Sequence, residues 1–296
     1  MKFTVNKGQE GLLRDFLRRQ LSLSSSQITK LKQKPLGITV NGQHRTVRHM
    51  LNTGDVVELD FEDENKSENI VPVNIPIDIL YEDGDIIVLN KPYDMPTHPS
   101  HGHFEDTLAN GLMYYFMQKG EKCLFRAANR LDRETSGIVL CAKNGPAASR
   151  LSESMQKGRF EKTYFALLHG EIPEKGTIEK NIKRRDESVI FRCVCGENEG
   201  KYAKTVYKRH WVSNDKKYSF VTLSPVTGRT HQLRVHTAYI GTPIVGDSLY
   251  GTGDGQKLML HAGKLSFPHP FEDKIITLTA PIPERFYEIY EDIEEN

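Results

Sequence analysis

The stretch Asn129-Arg130-Leu131-Asp132-Arg133-Glu134-Thr135-Ser136-Gly137-Ile138-Val139-Leu140-Cys141-Ala142-Lys143 decides how this chain is read. Its first half is polar and charged. From Gly137 it becomes a continuous apolar run closed by Lys143 and Asn144, the pattern of a short strand covered on both faces. Asp132 therefore stands at a strand entrance, flanked by Arg130 and Arg133. Two neighbouring guanidinium groups would keep a carboxylate ionised, and an ionised, positioned carboxylate can act as a nucleophile or a base. The same pattern also describes a turn whose charges are merely solvated, so the flanking sequence has to decide.

Outward from this stretch, short strands alternate with loops. Asp85–Pro92 (DIIVLNKP) reads as a buried strand ending at Lys91 and Pro92. Pro146 to Lys157 reads as a helix, with Pro146 in its first turn, Leu151 and Met155 buried, and Gly158 as the stop. Phe160–His169, Lys201–Lys208, Tyr218–Leu223 and Ile275–Pro281 read as strands. Thr230–Gly241 (THQLRVHTAYIG) reads as a helix capped by Thr230 and ended by Gly241. Strands outnumber helices and often follow one another directly. That order predicts an α+β domain with a largely antiparallel mixed sheet over residues 72–296.

The N-terminal part reads differently. Leu12, Leu13, Phe16 and Leu17 repeat at helical spacing. A second helix is expected from Ser24, which forms a capping-box pattern with Gln27 and buries Ile28 and Leu31. Asn41-Gly42 between alternating residues is a hairpin signal, and Gly54–Phe61 closes as a strand. This gives a small α+β module over residues 1–61. The run EDENKSE (Glu62–Glu68) is acidic and aperiodic, and the segment 62–71 reads as a linker.

The net charge of +1 hides a segregation. Residues 1–50 hold ten Lys or Arg against Glu10 and Asp15, whereas residues 51–70 hold seven acids and one lysine. A basic head of that density points to a polyanionic partner such as nucleic acid. No stretch approaches the roughly 18 consecutive apolar residues of a membrane helix, and MKFTVNKGQEGLLRD has no secretory pattern. Four cysteines in 296 residues are too few for a disulfide framework. A cytoplasmic monomer is the expectation.

A resemblance now adds to these readings. NRLDRETSGIVLCAK resembles the signature loop of the pseudouridine synthases of the large-subunit ribosomal type, in which His-Arg-Leu-Asp precedes Thr-Ser-Gly and an apolar strand. VLNKPYDMPTHPS (Val88–Ser100), EKTYFALLHG (Glu161–Gly170), TGRTHQLRVHTAYIGTPIVGDSLYG (Thr227–Gly251) and LHAGKLSFPHP (Leu260–Pro270) are similar, in order, to further segments of that family. The head resembles the small RNA-binding module first seen in a small-subunit ribosomal protein.

The resemblance implies isomerisation of uridine in structured RNA without a cofactor. The RNA it points to first is ribosomal, with transfer RNA also open. Asp132 takes the family's catalytic position, Tyr164 that of its active-site tyrosine, and Arg229 that of an arginine paired with the aspartate. Lys91 falls to site support or phosphate contact. Arg130, Arg133, Thr135 and Ser136 fall to filling the space left by a flipped base or holding the backbone. Arg133, Arg234 and Lys143 join the basic head as candidate phosphate contacts. The chain departs from the family pattern at Asn129, where histidine is usual, which bears on how the loop is supported.

Other chemistry is less well served. His98, His101 and His103 lie in a Pro/Gly/Ser-rich segment, and no metal is expected there. Cys193-Val194-Cys195 is too tightly spaced for usual zinc ligation; on a strand both thiols would face one side, toward the core. There is no GxxxxGK[ST] loop, and Ser136 lies in TSG rather than GxSxG. Two alternatives remain beside the isomerase: a non-catalytic RNA-binding or ribosome-assembly protein on the same fold, and a carboxylate-dependent hydrolase of nucleosides or RNA.

Overall fold

In the computed structural model, which describes residues 2–21, 23, 25–60, 70–185 and 190–290, the basic head has its own sheet and core. β1 (Lys2–Thr4) is followed by β2 (Gly11–Leu12), then α1 (Leu13–Asp15), which widens into a π-helical turn over Phe16–Gln20. Leu13, Phe16 and Leu17 are buried at helical spacing, while Leu12 belongs to β2. α2 (Ser25–Gln33) buries Ile28 and Leu31. The capping role expected of Ser24 and the Glu62–Glu68 linker lie outside the described residues. β3 (Ile38–Val40) and β4 (Gln43–His44) are joined through Asn41 and Gly42 at φ of 52° and 76°. A two-residue hairpin whose twist matches its strands requires that left-handed pair. β5 (Met50–Leu51) pairs with β2, and β6 (Val56–Leu59) completes a sheet of order β1-β6-β3-β4.

The rest of the chain contributes β7 (Asp78–Glu82), β8 (Ile86–Lys91), α3 (Leu108–Gln118), β9 (Ser136–Ala142), α4 (Gly145–Gln156) and β10 (Glu161–His169). There follow β11 (Lys175–Glu179), β12 (Asn181–Arg184), β13 (Arg192–Cys195), β14 (Lys204–Val212) and β15 (Tyr218–Pro225). α5 (Gln232–Tyr239), β16 (Leu260–Pro268) and β17 (Ile275–Thr279) complete it. Nine strands form one sheet in the order β11-β14-β15-β10-β16-β9-β8-β7, with β17 also on β16. Among the described strands, only the β16–β9 pair is parallel. The fold is α+β with a mostly antiparallel sheet, as expected.

Every residue of β9 is buried, which explains its unbroken apolar run. Ile138 and Leu140 face Ala147 and Leu151 of α4 on one side of the sheet. Val139 and Cys141 face Leu108, Leu112 and Phe116 of α3 on the other. The period-two alternation of a strand thus serves two helices at once. The parallel join places His261 opposite Ser136 and Ala262 opposite Gly137, directly after the Asp132 loop. Gly137 has φ +111°, and a Cβ there would lie 2.4 Å from the Ala262 carbonyl oxygen. Only glycine permits both that backbone and that approach.

Several expectations shift. α5 begins at Gln232; its cap position is His231 at φ 56°, and no side chain caps it, so Thr230 does not. The strand expected at Lys201–Lys208 runs instead from Lys204 to Val212. Cys193 and Cys195 share a side of β13, as period two requires, but are half-buried on a peripheral hairpin rather than in the core. The head rests on the larger part through Phe3, whose ring centroid is 5.4 Å from that of Phe271, and Arg150 lies over the Phe271 ring at 4.7 Å.

Candidate active site

The loop that carries Asp132 is fastened at alternate residues. Asn129 donates through Nδ2 to the Ile138 carbonyl at 2.9 Å and accepts from the Leu140 N–H at 2.8 Å. The amide thus clips the loop to β9 with both of its polar ends. Leu131 is buried, and its carbonyl accepts from Thr97 Oγ1 at 2.9 Å. The Arg133 carbonyl accepts from Lys91 Nζ at 3.0 Å, and the same ammonium reaches the carbonyls of Met95 and Pro92 at 2.7 and 2.9 Å. Lys91 is fully buried at the end of β8. Burial pulls its pKa down to about 7, against the attraction of Asp132. Asn129 and Leu131 are thus held inward, as is the backbone of Arg133, while the side chains of Arg130 and Asp132 line the hollow beyond the loop.

What they face is a cavity of about 720 Å³ between this loop and the Thr227–Arg234 segment. Arg130, Arg133, Lys162, Arg229 and Arg234 are among its lining residues, and Asp132 is the single carboxylate among those described. The Asp132 side chain is 36% exposed, and the His231 ring approaches it, with Nε2 3.8 Å from Oδ2. Tyr164 of β10 forms part of the wall, next to a shift in strand register at Thr163/Tyr164. Burial first, and the Asp132 charge second, push its phenol well above the ordinary range. A neutral, protonated phenol beside an accessible carboxylate is a surface on which a flat base can lie while a sugar meets the carboxylate.

Comparison with known proteins agrees with this geometry. The family model described as RNA pseudouridylate synthase matches residues 85–239, more than half of the chain and all of the Asp132 loop. The chain belongs to the RNA pseudouridylate synthase family. It is 36% identical over 269 residues to the Bacillus subtilis RNA pseudouridine synthase YjbO, covering 90% of this chain and 93% of that one. It is 38% identical over 222 residues to the ribosomal large subunit pseudouridine synthase D of Borreliella burgdorferi, covering 71% and 67%. The solved structure of human RNA pseudouridylate synthase domain containing 1 superposes with a TM-score of 0.59 at 32% identity, over 70% of this chain and 83% of that one. The protein is accordingly an RNA-modifying isomerase that turns uridine into pseudouridine.

Within the synthase, several residues sit elsewhere than the sequence suggested. Arg229 does not pair with Asp132: it is exposed, and its Nε donates to the Tyr202 carbonyl at 2.8 Å. Arg133 is turned away, with Nε on Asp94 Oδ1 at 2.7 Å. Arg234 is no surface phosphate contact. It is 2% exposed and grips Asp247 through two bonds of 2.9 and 2.7 Å, with Glu134 at 3.1 Å. Ser136 is buried too, accepting from Arg285 Nη2 at 2.7 Å and donating to neutral His261 Nδ1 at 2.9 Å. Burial drops the His261 pKa to about 3. Lys143 is held by Glu82 and Glu121 at 2.7 and 2.8 Å. Thr135 is buried at the cavity wall, its hydroxyl without a partner among the described residues.

Two wall residues of the synthase were not anticipated, His231 and Lys162. His231 is the residue after Thr230 in the TGRTHQLR segment; its left-handed backbone turns the ring toward Asp132, and its Nδ1 bonds Tyr250 Oη at 2.8 Å. Burial lowers its pKa, with Asp132 opposing. Lys162 lies two residues before Tyr164 and therefore on the same side of β10, and burial lowers its pKa as well. The histidines of residues 98–103 are not gathered into one ligand set. His98 meets the Phe125 ring edge-on, and His103 pairs with Asp106 at 2.5 Å.

Proposed function

We propose that the synthase modifies uridine in large-subunit ribosomal RNA with Asp132 as the reacting carboxylate. The supporting observation is that Asp132 is the single carboxylate among the described lining residues, and that no described residue hydrogen-bonds its carboxylate oxygens. The reaction breaks the bond from ribose to ring nitrogen, turns the uracil, and joins the ribose to a ring carbon, which then loses its proton. Whether the carboxylate attacks the anomeric carbon or takes a neighbouring sugar proton, it needs an ionised oxygen that the protein leaves unoccupied. No electrons leave and no outside group enters, so the chemistry calls for neither cofactor nor metal.

In this reading Tyr164 is the platform for the uracil, and Arg130, Arg133 and Arg229 form a cationic rim. The target base leaves its stack to reach the cavity. Lys91, Thr135, Ser136 and Arg234 act on the loop rather than on the RNA. Residues 1–61 serve as the RNA-binding module, 62–71 as the tether and 72–296 as the catalytic domain of a cytoplasmic monomer. The large-subunit assignment is supported by the likeness to the ribosomal large subunit pseudouridine synthase D of Borreliella burgdorferi. The test is incubation of the purified chain, without cofactor, with transcripts of large-subunit ribosomal RNA and of transfer RNAs, followed by pseudouridine mapping. Modification confined to ribosomal transcripts is the expected result. Free uracil or chain cleavage would mark a hydrolase instead, and modification confined to transfer RNA would overturn the substrate assignment.

A further inference from the structure

Behind the Arg229 side of the active-site cavity lies a second, smaller groove of about 310 Å³, between the β12–β13 hairpin and the Gly228–Thr230 turn. Arg184, Arg192, Lys201 and Arg229 line it over a floor of Ile182, and no described acidic residue does. Gly228, Arg229 and Thr230 line both hollows, so the turn is a ridge between the groove and the cavity that holds Asp132.

Among its described residues the hairpin sets two like charges side by side. Arg184 and Arg192 are direct partners in the antiparallel register, so two guanidinium groups share one face side by side. Like charges placed opposite one another destabilise a sheet. The intervening Lys183 points to the other face, where Glu199 meets it at 2.7 Å. Among the described residues, Glu199 thus meets the face away from the groove, and no acid lines the groove face. Arg192 is also braced: its Nη1 donates to the carbonyls of Ile190 and Phe191, both at 3.1 Å. Its backbone N–H donates to Tyr250 Oη at 3.0 Å, the same hydroxyl that holds His231 beside Asp132. Arg229 is oriented by its Nε bond to Tyr202, and its Nη nitrogens have no partner among the described residues.

We propose that this groove binds a backbone phosphate of the substrate RNA beside the target uridine. The proposal rests on the pseudouridine-synthase reading given above. A planar guanidinium fork matches phosphate oxygens, and Arg184, Lys201 and Arg229 bring positive charge to one groove. The ridge then divides the labour: the strand passes over Gly228–Thr230, with its phosphate on one side and its flipped base on the other. Arg229, anchored at Nε, is placed to hold the strand at the crossing.

The test measures RNA binding by the full chain. Arg184→Gln, Lys201→Gln and the double variant are compared with wild type and with Lys216→Gln, a lysine beyond the opposite end of β15. The RNA is a transcript in which the wild type forms pseudouridine, and Kd is followed over roughly 50–200 mM salt. Each groove substitution is expected to weaken binding and to flatten the slope of log Kd against log salt by about 0.7, and the double variant by about 1.4, the counterion release of single-strand phosphate contacts. Lys216→Gln should keep the wild-type slope, and Lys201→Arg should restore it. A double variant with the wild-type slope, on RNA the wild type modifies, overturns the groove alone. A wild type that forms no pseudouridine in any RNA overturns the reading beneath it, and the groove with it.

Discussion

The Asp132 side of the active-site cavity and the Arg229–Arg234 side opposite it differ in where their polar groups are directed. On the first, Asn129, Leu131 and Arg133 fasten the loop to β8, β9 and Thr97, and the carboxylate between them is left to solvent and substrate. On the second, Arg234 is buried and wholly engaged by Asp247 and Glu134, while five residues earlier Arg229 is exposed on the rim. Each side thus pairs a satisfied scaffold with charge that projects from it. The comparison teaches that a charged residue in such a site is classified by its partners. Glu134 and Asp132 lie two residues apart in one loop, yet one is held in a buried ion pair and the other stands open.

The largest effect that would break this comparison is expected at Arg234. Arg234→Met leaves Asp247 and Glu134 near an uncompensated site and should cost about 3–5 kcal/mol in urea unfolding. A loss under 1 kcal/mol would return Arg234 to the surface role its sequence suggested. Lys91→Met removes the donor from three carbonyls and should cost about 2–3 kcal/mol, with activity falling as the loop loosens. Lys91 also gives a pH signature. Its folded pKa of about 7 lies below the ordinary 10.5, so between these values the unfolded chain binds the proton and the folded chain does not. Wild-type stability should therefore rise relative to Lys91→Met as pH is raised through that window, by at most about 1.4 kcal/mol per pH unit. A flat or falling difference between pH 7.5 and 9.5 would show that the buried ammonium keeps its proton.

Smaller effects sharpen the comparison. Asn129→Ala removes both clips and should cost about 1–2 kcal/mol, and Asn129→His should recover part of it if one ring nitrogen reaches β9. Arg133→Ala, exposed and paired with Asp94, should change stability by less than about 1 kcal/mol. A larger loss would mean that the rim is scaffold after all.

Most of the fold was legible because its strands are bounded by clear signals: Lys91-Pro92 ends β8, Lys143-Asn144 follows β9, and Asn41-Gly42 turns the first hairpin. α3 was not. Leu108–Gln118 is apolar on most faces, with an Asn-Gly pair inside that reads locally as a turn. Its cap rests on Thr107 and Asn110, and Asn110 is fully buried. Within the site, Asp132 and Tyr164 were legible through their motifs and do line the cavity. Arg234 was misplaced because its partner Asp247 is 13 residues away across a turn, and sequence spacing carries no burial. His231 was missed because its position depends on a left-handed backbone, which no pattern in TGRTHQLR declares.

The central claim is that the unoccupied carboxylate of Asp132 does the chemistry while its surroundings only hold it. Single-turnover pseudouridine formation by Asp132→Asn, on a transcript that the wild type modifies, tests it most directly. Because no described residue hydrogen-bonds that carboxylate, the variant should match the wild type within about 0.5 kcal/mol in unfolding and still bind the RNA. Its rate should fall at least about 10³-fold. A folded, RNA-binding Asp132→Asn protein that turns over within tenfold of the wild type would contradict the account.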